Sequence, residues 1–213
     1  MGQYYRGCIL DKNYKKDKTN KNPVLVSFTA LDFNDGSKLM EHSWVDGQYV
    51  KVYEHLLSKN FYGYPLVWCG DYAETKIGNR LIAYYHGKHM CEESSKTYLC
   101  DSETEKTWGG YPLKMLKDKY KVPNGYAKYI VNLDKKLYAP IPSDINQIHP
   151  LPILTCDGCG KGGGDYDGSN MELVGIWAYD RIGVCEEIPN GFKPLEYKKN
   201  ENVDEDVIFV END

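Results

Sequence analysis

The densest chemistry in the chain is Cys156-Asp157-Gly158-Cys159-Gly160. Two thiolates separated by two residues, with glycine permitting a tight turn, make half of a tetrahedral zinc site. His86, His89, Cys91 and Cys100 could supply the other half if folding carries that stretch onto the loop. Cys156, Cys159, His86 and His89 are therefore the candidate metal set. The leading expectation is no cofactor, with zinc as the alternative. A redox dithiol is a further reading. Thioredoxin-type chemistry, however, sets the first cysteine at a helix N-terminus, and Lys161-Gly162-Gly163-Gly164 does not start a helix.

The glycine-rich stretch 158–168 fails the other loop chemistries. A phosphate loop needs Gly-Lys followed by Ser or Thr and then a helix, but Lys161 is followed by Gly162. Asp165, Asp167 and Asn170 lack the closing Glu of a calcium-binding EF-hand. No strand-turn-helix serine elbow occurs. Cys69 at a strand end, with His42 or His149 as base, is the one nucleophile–base pairing on offer, and no spacing fixes it.

The preferred constellation is aromatic and carboxylate. Trp44, Trp68, Tyr72, Trp108, Tyr166, Trp177 and Tyr179 fall near turns or strand ends, with Asp71, Asp165, Asp180 and Arg181 beside several of them. Ring faces with a few charged tips suit a polar ring or a peptide. The expectation is that Asp71 and Trp177 meet at one end of a sheet and border the main concave site. The competing reading is a Tyr- and Trp-rich core.

The elements that must position these residues can be read from periodicity. Residues 3–10, 23–31 and 64–69 carry strand patterns, and Asn34-Asp35-Gly36 is a turn signal that predicts a hairpin back through 38–45. Behind Asp46, a good N-cap, Tyr49, Val50, Tyr53, Leu56 and Leu57 recur at helical spacing, so a helix is expected over 46–60. A short second helix is expected at 111–120, with Pro112 near its start. Strands are expected at 80–85, 127–133, 136–141, 151–155, 171–186 (one or two) and in the acidic tail around 207–210. Residues 86–107 read as a polar insertion and 157–169 as a glycine-rich loop. The fold class is α+β, a partly meandering antiparallel sheet in one domain, 1–213.

Composition narrows the setting. Nineteen Tyr stand against five Phe, so much of the apolar ground is covered by rings with a polar tip. The net charge of −5 argues against bulk nucleic-acid binding, and the Lys-rich stretch 11–22 reads as a solvated loop tip. No run of about 20 apolar residues could span a bilayer. Met1-Gly2-Gln3-Tyr4-Tyr5-Arg6 has no apolar signal core, which predicts a cytoplasmic protein. Seven cysteines, an odd number, are then expected to stay reduced.

Five blocks carry a resemblance: Gly2-Gln3-Tyr4-Tyr5, Lys38 to Trp44, Trp68-x-Gly70-Asp71-Tyr72-Ala73, Gly162 to Tyr166, and Val174-Gly175-x-Trp177-Ala178-x-Asp180. Together they resemble an uncharacterised family of small bacterial and phage proteins. The resemblance implies an intracellular, prophage-linked protein and brings no activity, ligand or catalytic residue with it. The reading of the whole is a binding protein that holds a protein partner or a small polar, nucleotide-like ligand, without catalysis. The alternative is a metal-dependent hydrolase or a structural zinc module using the Cys/His set.

Overall fold

The computed structural model describes residues 1–17, 19–78, 81–89 and 127–196, and the backbone of 107–108 and 111–112. Strands β1 (Tyr5–Leu10), β2 (Val24–Ser27), β3 (Tyr64–Gly70), β8 (Tyr129–Asn132), β9 (Leu137–Pro140), β11 (Arg181–Cys185) and β12 (Lys193–Pro194) lie in the order β12-β9-β8-β11-β3-β1-β2. A short β10 (Cys156–Asp157) joins β3 in parallel beyond the reach of β11. The fold is α+β, and its sheet is mixed, because β10 and β12 run parallel to their neighbours. Two-stranded ladders β4 (Lys76–Ile77) with β5 (Leu81–Ile82), and β6 (Thr107–Trp108) with β7 (Tyr111–Pro112), lie outside it.

β3 is central, and its buried run Pro65 to Gly70 explains why the segment reads as continuously apolar. Leu66 and Trp68 point to one face and meet α2 (Gln48–Ser58); Val67 and Cys69 point to the other, toward the helix over residues 83–89, α3. On α2 the buried set is Tyr49, Val50, Val52, Tyr53, Leu56 and Leu57, the face that helical spacing predicts. The helix is shorter than 46–60, and Asp46 does not cap it. Gly47 is the N-cap, and Asp35 of the preceding turn reaches in to accept the Tyr49 N–H at 2.8 Å. A carboxylate there satisfies an orphan donor and faces the positive end of the helix dipole.

Both tyrosine tips of α2 enter the sheet. The β1–β2 ladder is direct at Cys8–Ser27, but one step on, two hydroxyls bridge Gly7 and Phe28. Tyr49 Oη accepts the Gly7 N–H at 2.9 Å and donates to Phe28 O at 2.9 Å. Tyr53 Oη accepts the Phe28 N–H at 3.2 Å and donates to Gly7 O at 2.6 Å. Position 7 must be glycine for this packing, since a Cβ there would lie 2.6 Å from Tyr53 Cζ and 2.9 Å from a Trp68 ring carbon.

Three segments expected as strands are otherwise. In 38–45, residues Leu39–His42 form the helix α1. Glu41 accepts the Lys38 N–H at its start, while Ser43 Oγ and Trp44 Nε1 donate to the Leu39 and Met40 carbonyls at its end. Side chains thus satisfy both ends of a one-turn helix. In 151–155, Pro150–Leu154 form the helix α4. His149 Nδ1 accepts the Leu151 N–H, the prolines occupy the first turn, where no donor is needed, and Thr155 donates to Leu151 O. In 171–186 only Arg181–Cys185 is strand, because Met171–Leu173 is a 3-10 turn and tight turns follow. Two further differences concern ends. Residues 30–31 of the predicted strand 23–31 open a 3-10 turn (Ala30–Phe33), and the strand over 80–85 gives way to α3 at residue 83, so 86–89 are helical. The helix expected over 111–120 begins instead with strand β7 at Tyr111–Pro112; the rest of it, most of the 86–107 insertion and the 207–210 strand lie outside the described residues.

Candidate functional site

The aromatic and carboxylate residues do not converge on one surface. Trp68 and Trp177 are fully buried in the main core and offer no face to a ligand. Trp44 packs against that core and holds α1 through its Nε1. Tyr72 is exposed, and Asp71 beside it accepts the Tyr4 N–H at 3.1 Å. Asp180 accepts from Asn132 and Lys135, while Arg181 is clamped to Asp134 through its backbone N–H at 2.8 Å and its Nε at 2.7 Å. Each charge that the sequence offers to a ligand has a structural partner. Asp71 and Trp177 border neither cleft described below.

Trp68 instead completes a buried relay. Its indole N–H donates to His42 Nε2 at 2.8 Å, and His42 Nδ1 lies 2.8 Å from Gly36 O. An indole can only donate, so Nε2 accepts and the proton sits on Nδ1. Burial is the main cause that pushes His42 down to about 4, against the opposing pull of Gly36 O. His149 is likewise committed, to Glu54 at 2.6 Å and to the Leu151 N–H. Cys69 lies on the opposite sheet face, where burial raises its thiol well above the usual value. No Cys–His pair forms from these three residues.

The Cys/His metal set is also divided. Cys156 pairs in register with Trp68 on the α2 side. His86 and His89 lie on α3, across the sheet, and the His86 ring lies 3.1 Å from Ile77 O. Among the described residues no three His, Cys, Asp or Glu side chains are grouped to hold a metal ion. Cys91 and Cys100 lie outside the described residues.

The glycine-rich loop closes on itself. Asp165 Oδ2 accepts the N–H groups of Gly160, Lys161 and Gly162 at 2.7, 2.9 and 3.0 Å, and its Oδ1 accepts from Tyr5 Oη at 2.6 Å. Successive N–H groups converging on one point form an anion nest, and here the chain's own carboxylate fills it. Beneath the loop, Gln3 is fully buried with neither amide atom hydrogen-bonded. Its side chain lies against Gly158 and Gly70, where an added Cβ would come within 2.7 and 2.1 Å of its nitrogen. An unpaired buried amide costs about 1–3 kcal/mol.

The concave feature with chemistry on its walls lies at the start of β1. A cleft of about 560 Å³ is lined by Tyr4, Arg6, Leu31, Lys38, Glu41 and Tyr84, among others. The Arg6 guanidinium lies 5.4 Å from the Tyr84 ring centroid, a cation–π contact. Lys38 pairs with Glu41 at 3.3 Å, and the Lys38 backbone N–H, first, draws the Glu41 carboxyl below its usual range. Tyr4 and Leu31 expose large apolar surface at the rim. Burial raises the Tyr84 hydroxyl, partly offset by Arg6. A second cleft, near Tyr62 and Cys185, has Glu186 and Glu187 on its wall. Sequence reasoning passed over Arg6, yet an arginine inside the otherwise uncharged run Tyr4 to Leu10 was the available signal.

Comparison with family models, curated proteins and solved structures finds no match for this chain. The resemblance to bacterial and phage proteins gains nothing from them. Among the described residues no helix is long and apolar enough to cross a membrane.

Proposed function

We propose that this protein is an intracellular binding protein without catalytic chemistry, and that its ligand is a small ring-bearing anion held in the Arg6–Tyr84 cleft. The observation that carries this reading is Arg6, set on β1 with its guanidinium against Tyr84 at the wall of a cleft of about 560 Å³. Ligand clefts commonly span roughly 300–1,000 Å³ and combine apolar walls with a few placed polar groups. Tyr4 and Leu31 supply apolar wall, Arg6 supplies the positive charge while Lys38 is balanced by Glu41, and guanidinium suits phosphate or carboxylate by its planar fork of donors.

Calorimetric titration tests it with adenosine monophosphate, adenosine and inorganic phosphate as separate ligands. The nucleotide should bind more tightly than either fragment. Arg6→Gln should weaken it by about tenfold or more, since a charge-assisted bond contributes roughly 1.5–3 kcal/mol. Asp180→Asn, remote from the cleft, should bind as wild type. Equal affinity in Arg6→Gln, or no saturable binding in any arm, refutes the reading.

A further inference from the structure

The glycine-rich turn sets Cys156, a member of the main core, and Cys159, packed against that core, three residues apart and away from the Arg6–Tyr84 cleft. Cys156 is fixed by the β10–β3 ladder and is almost fully buried, while Cys159, three residues on, is half-buried. Gly158 and Gly160 hold φ of 107° and 87°, conformations that favour glycine and fold the turn back. Cys159 Sγ donates to the Tyr166 carbonyl oxygen at 3.5 Å, and Cys156, three residues back in the same turn, is its neighbouring thiol. Asp165 fixes the turn through three backbone N–H groups, and the unpaired Gln3 amide lies beneath it. The other described cysteines, Cys8, Cys69 and Cys185, sit on β1, β3 and β11.

We infer that Cys156 and Cys159 form a thiol–disulfide exchange site that takes a small-molecule disulfide as its oxidant, with Cys159 as the entering nucleophile and Cys156 as the resolving thiol. The Cys159 thiolate attacks one sulfur of the disulfide RSSR. The S–S bond breaks, and the released RS⁻ takes up the proton that Cys159 lost. Cys156 then gives up its proton and attacks the Cys159 sulfur of the mixed disulfide, expelling the second thiol. Two protein thiols are oxidised to one disulfide, and one RSSR is reduced to two RSH.

The order of attack follows from access and from charge. Cys159 is the more exposed residue of the two, and contact with the Cys156 thiol, then backbone hydrogen bonds at Tyr166 and Gly160, draw its thiol below the usual value. Cys156 is held well above, by the Cys159 contact and by burial. Its deep position still suffices for the second step, because its target is then three residues away in a turn that Asp165 already holds closed.

The test uses the full chain, reduced and then incubated with glutathione disulfide, followed by alkylation and peptide mass spectrometry. The expected product carries a Cys156–Cys159 disulfide, with Cys8 and Cys69 still alkylated after unfolding. In the reduced native protein, Cys159 should react with iodoacetamide about tenfold faster than Cys156. Cys156→Ser should stall as a glutathione adduct on Cys159, and Cys159→Ser should form neither adduct nor disulfide at this loop. Should a serine variant fail to fold, the wild-type peptide map decides alone. Recovery of both thiols unmodified in the wild type overturns the inference. So does an adduct on Cys156 as the first product, or a stoichiometric zinc ion that protects both thiols.

Discussion

Replacing Tyr53 by Phe removes one oxygen atom and should cost far more than an exposed hydroxyl. Tyr53 Oη donates to Gly7 O at 2.6 Å and accepts the Phe28 N–H at 3.2 Å, and the ring is fully buried. Without it, one backbone carbonyl and one backbone N–H are orphaned. The two strands cannot close on each other to repair the loss, because Tyr49 still stands between Gly7 and Phe28. At about 1–3 kcal/mol for each buried unsatisfied group, and with partial relaxation, the variant should lose roughly 2–4 kcal/mol. Urea unfolding followed by fluorescence measures it: at a slope of about 2 kcal/mol/M the midpoint falls by roughly 1–2 M with an unchanged slope. Tyr49→Phe should behave alike, and the double variant should cost less than the sum, since both hydroxyls bridge the same residue pair. A loss below about 0.5 kcal/mol in Tyr53→Phe would show that the bridge is geometry without energy, and the reasoning would fail.

Acid should destabilise the protein through His42. Its folded value, about 4, lies below the unfolded 6.5, so the unfolded chain takes up the proton first. The full stability is present above about pH 6.5 and falls by about 3 kcal/mol as pH drops through 4; urea midpoints from pH 7.5 to 4, compared with a His42→Asn variant, isolate the contribution. Gly7→Ala should destabilise by about 1–3 kcal/mol or more through overpacking against Tyr53 and Trp68, read as a fall in the thermal midpoint. Leu57→Ala, at a fully buried position of α2, should cost about 2–5 kcal/mol in the same urea assay; a value under 1 would deny that α2 anchors the core.

What the sequence makes legible depends on whether the determinant is local. The apolar face of α2 repeats at helical spacing, and Tyr64 to Cys69 is a long apolar run, so both can be read directly. The hairpin of β8 and β9 announces itself through Asp134-Lys135, with Lys136 at φ 55° completing the reversal. Leu39–His42 and Pro150–Leu154 are four and five residues long, too short for periodicity to separate strand from helix. Their choice is settled by Glu41, Ser43, Trp44, His149 and Thr155 satisfying the helix ends. The site was harder for the same reason. Asp165 looks available until Tyr5, 160 positions away, and three loop N–H groups are seen to hold it. Arg181 looks available until Asp134, 47 positions away, is beside it. Tyrosine abundance was a true signal with a different meaning: Tyr49 and Tyr53 use their polar tips to pair backbone inside the core rather than to meet a ligand.

The self-filled nest has an evolutionary reading. Six glycines between 158 and 168 make this loop entropically expensive to order, and the Asp165 carboxylate gathers three of its N–H groups at one point. Asp165→Gly would leave those donors, and the Tyr5 hydroxyl, converging on vacated space. Such a variant should gain thermal stability on adding phosphate or sulfate at constant ionic strength, while the parent should not. The loop thus stands one substitution from an anion receptor, and the residue that now keeps it shut to phosphate also gives it its shape. A lineage could acquire such a receptor by losing a side chain, with no new element to build.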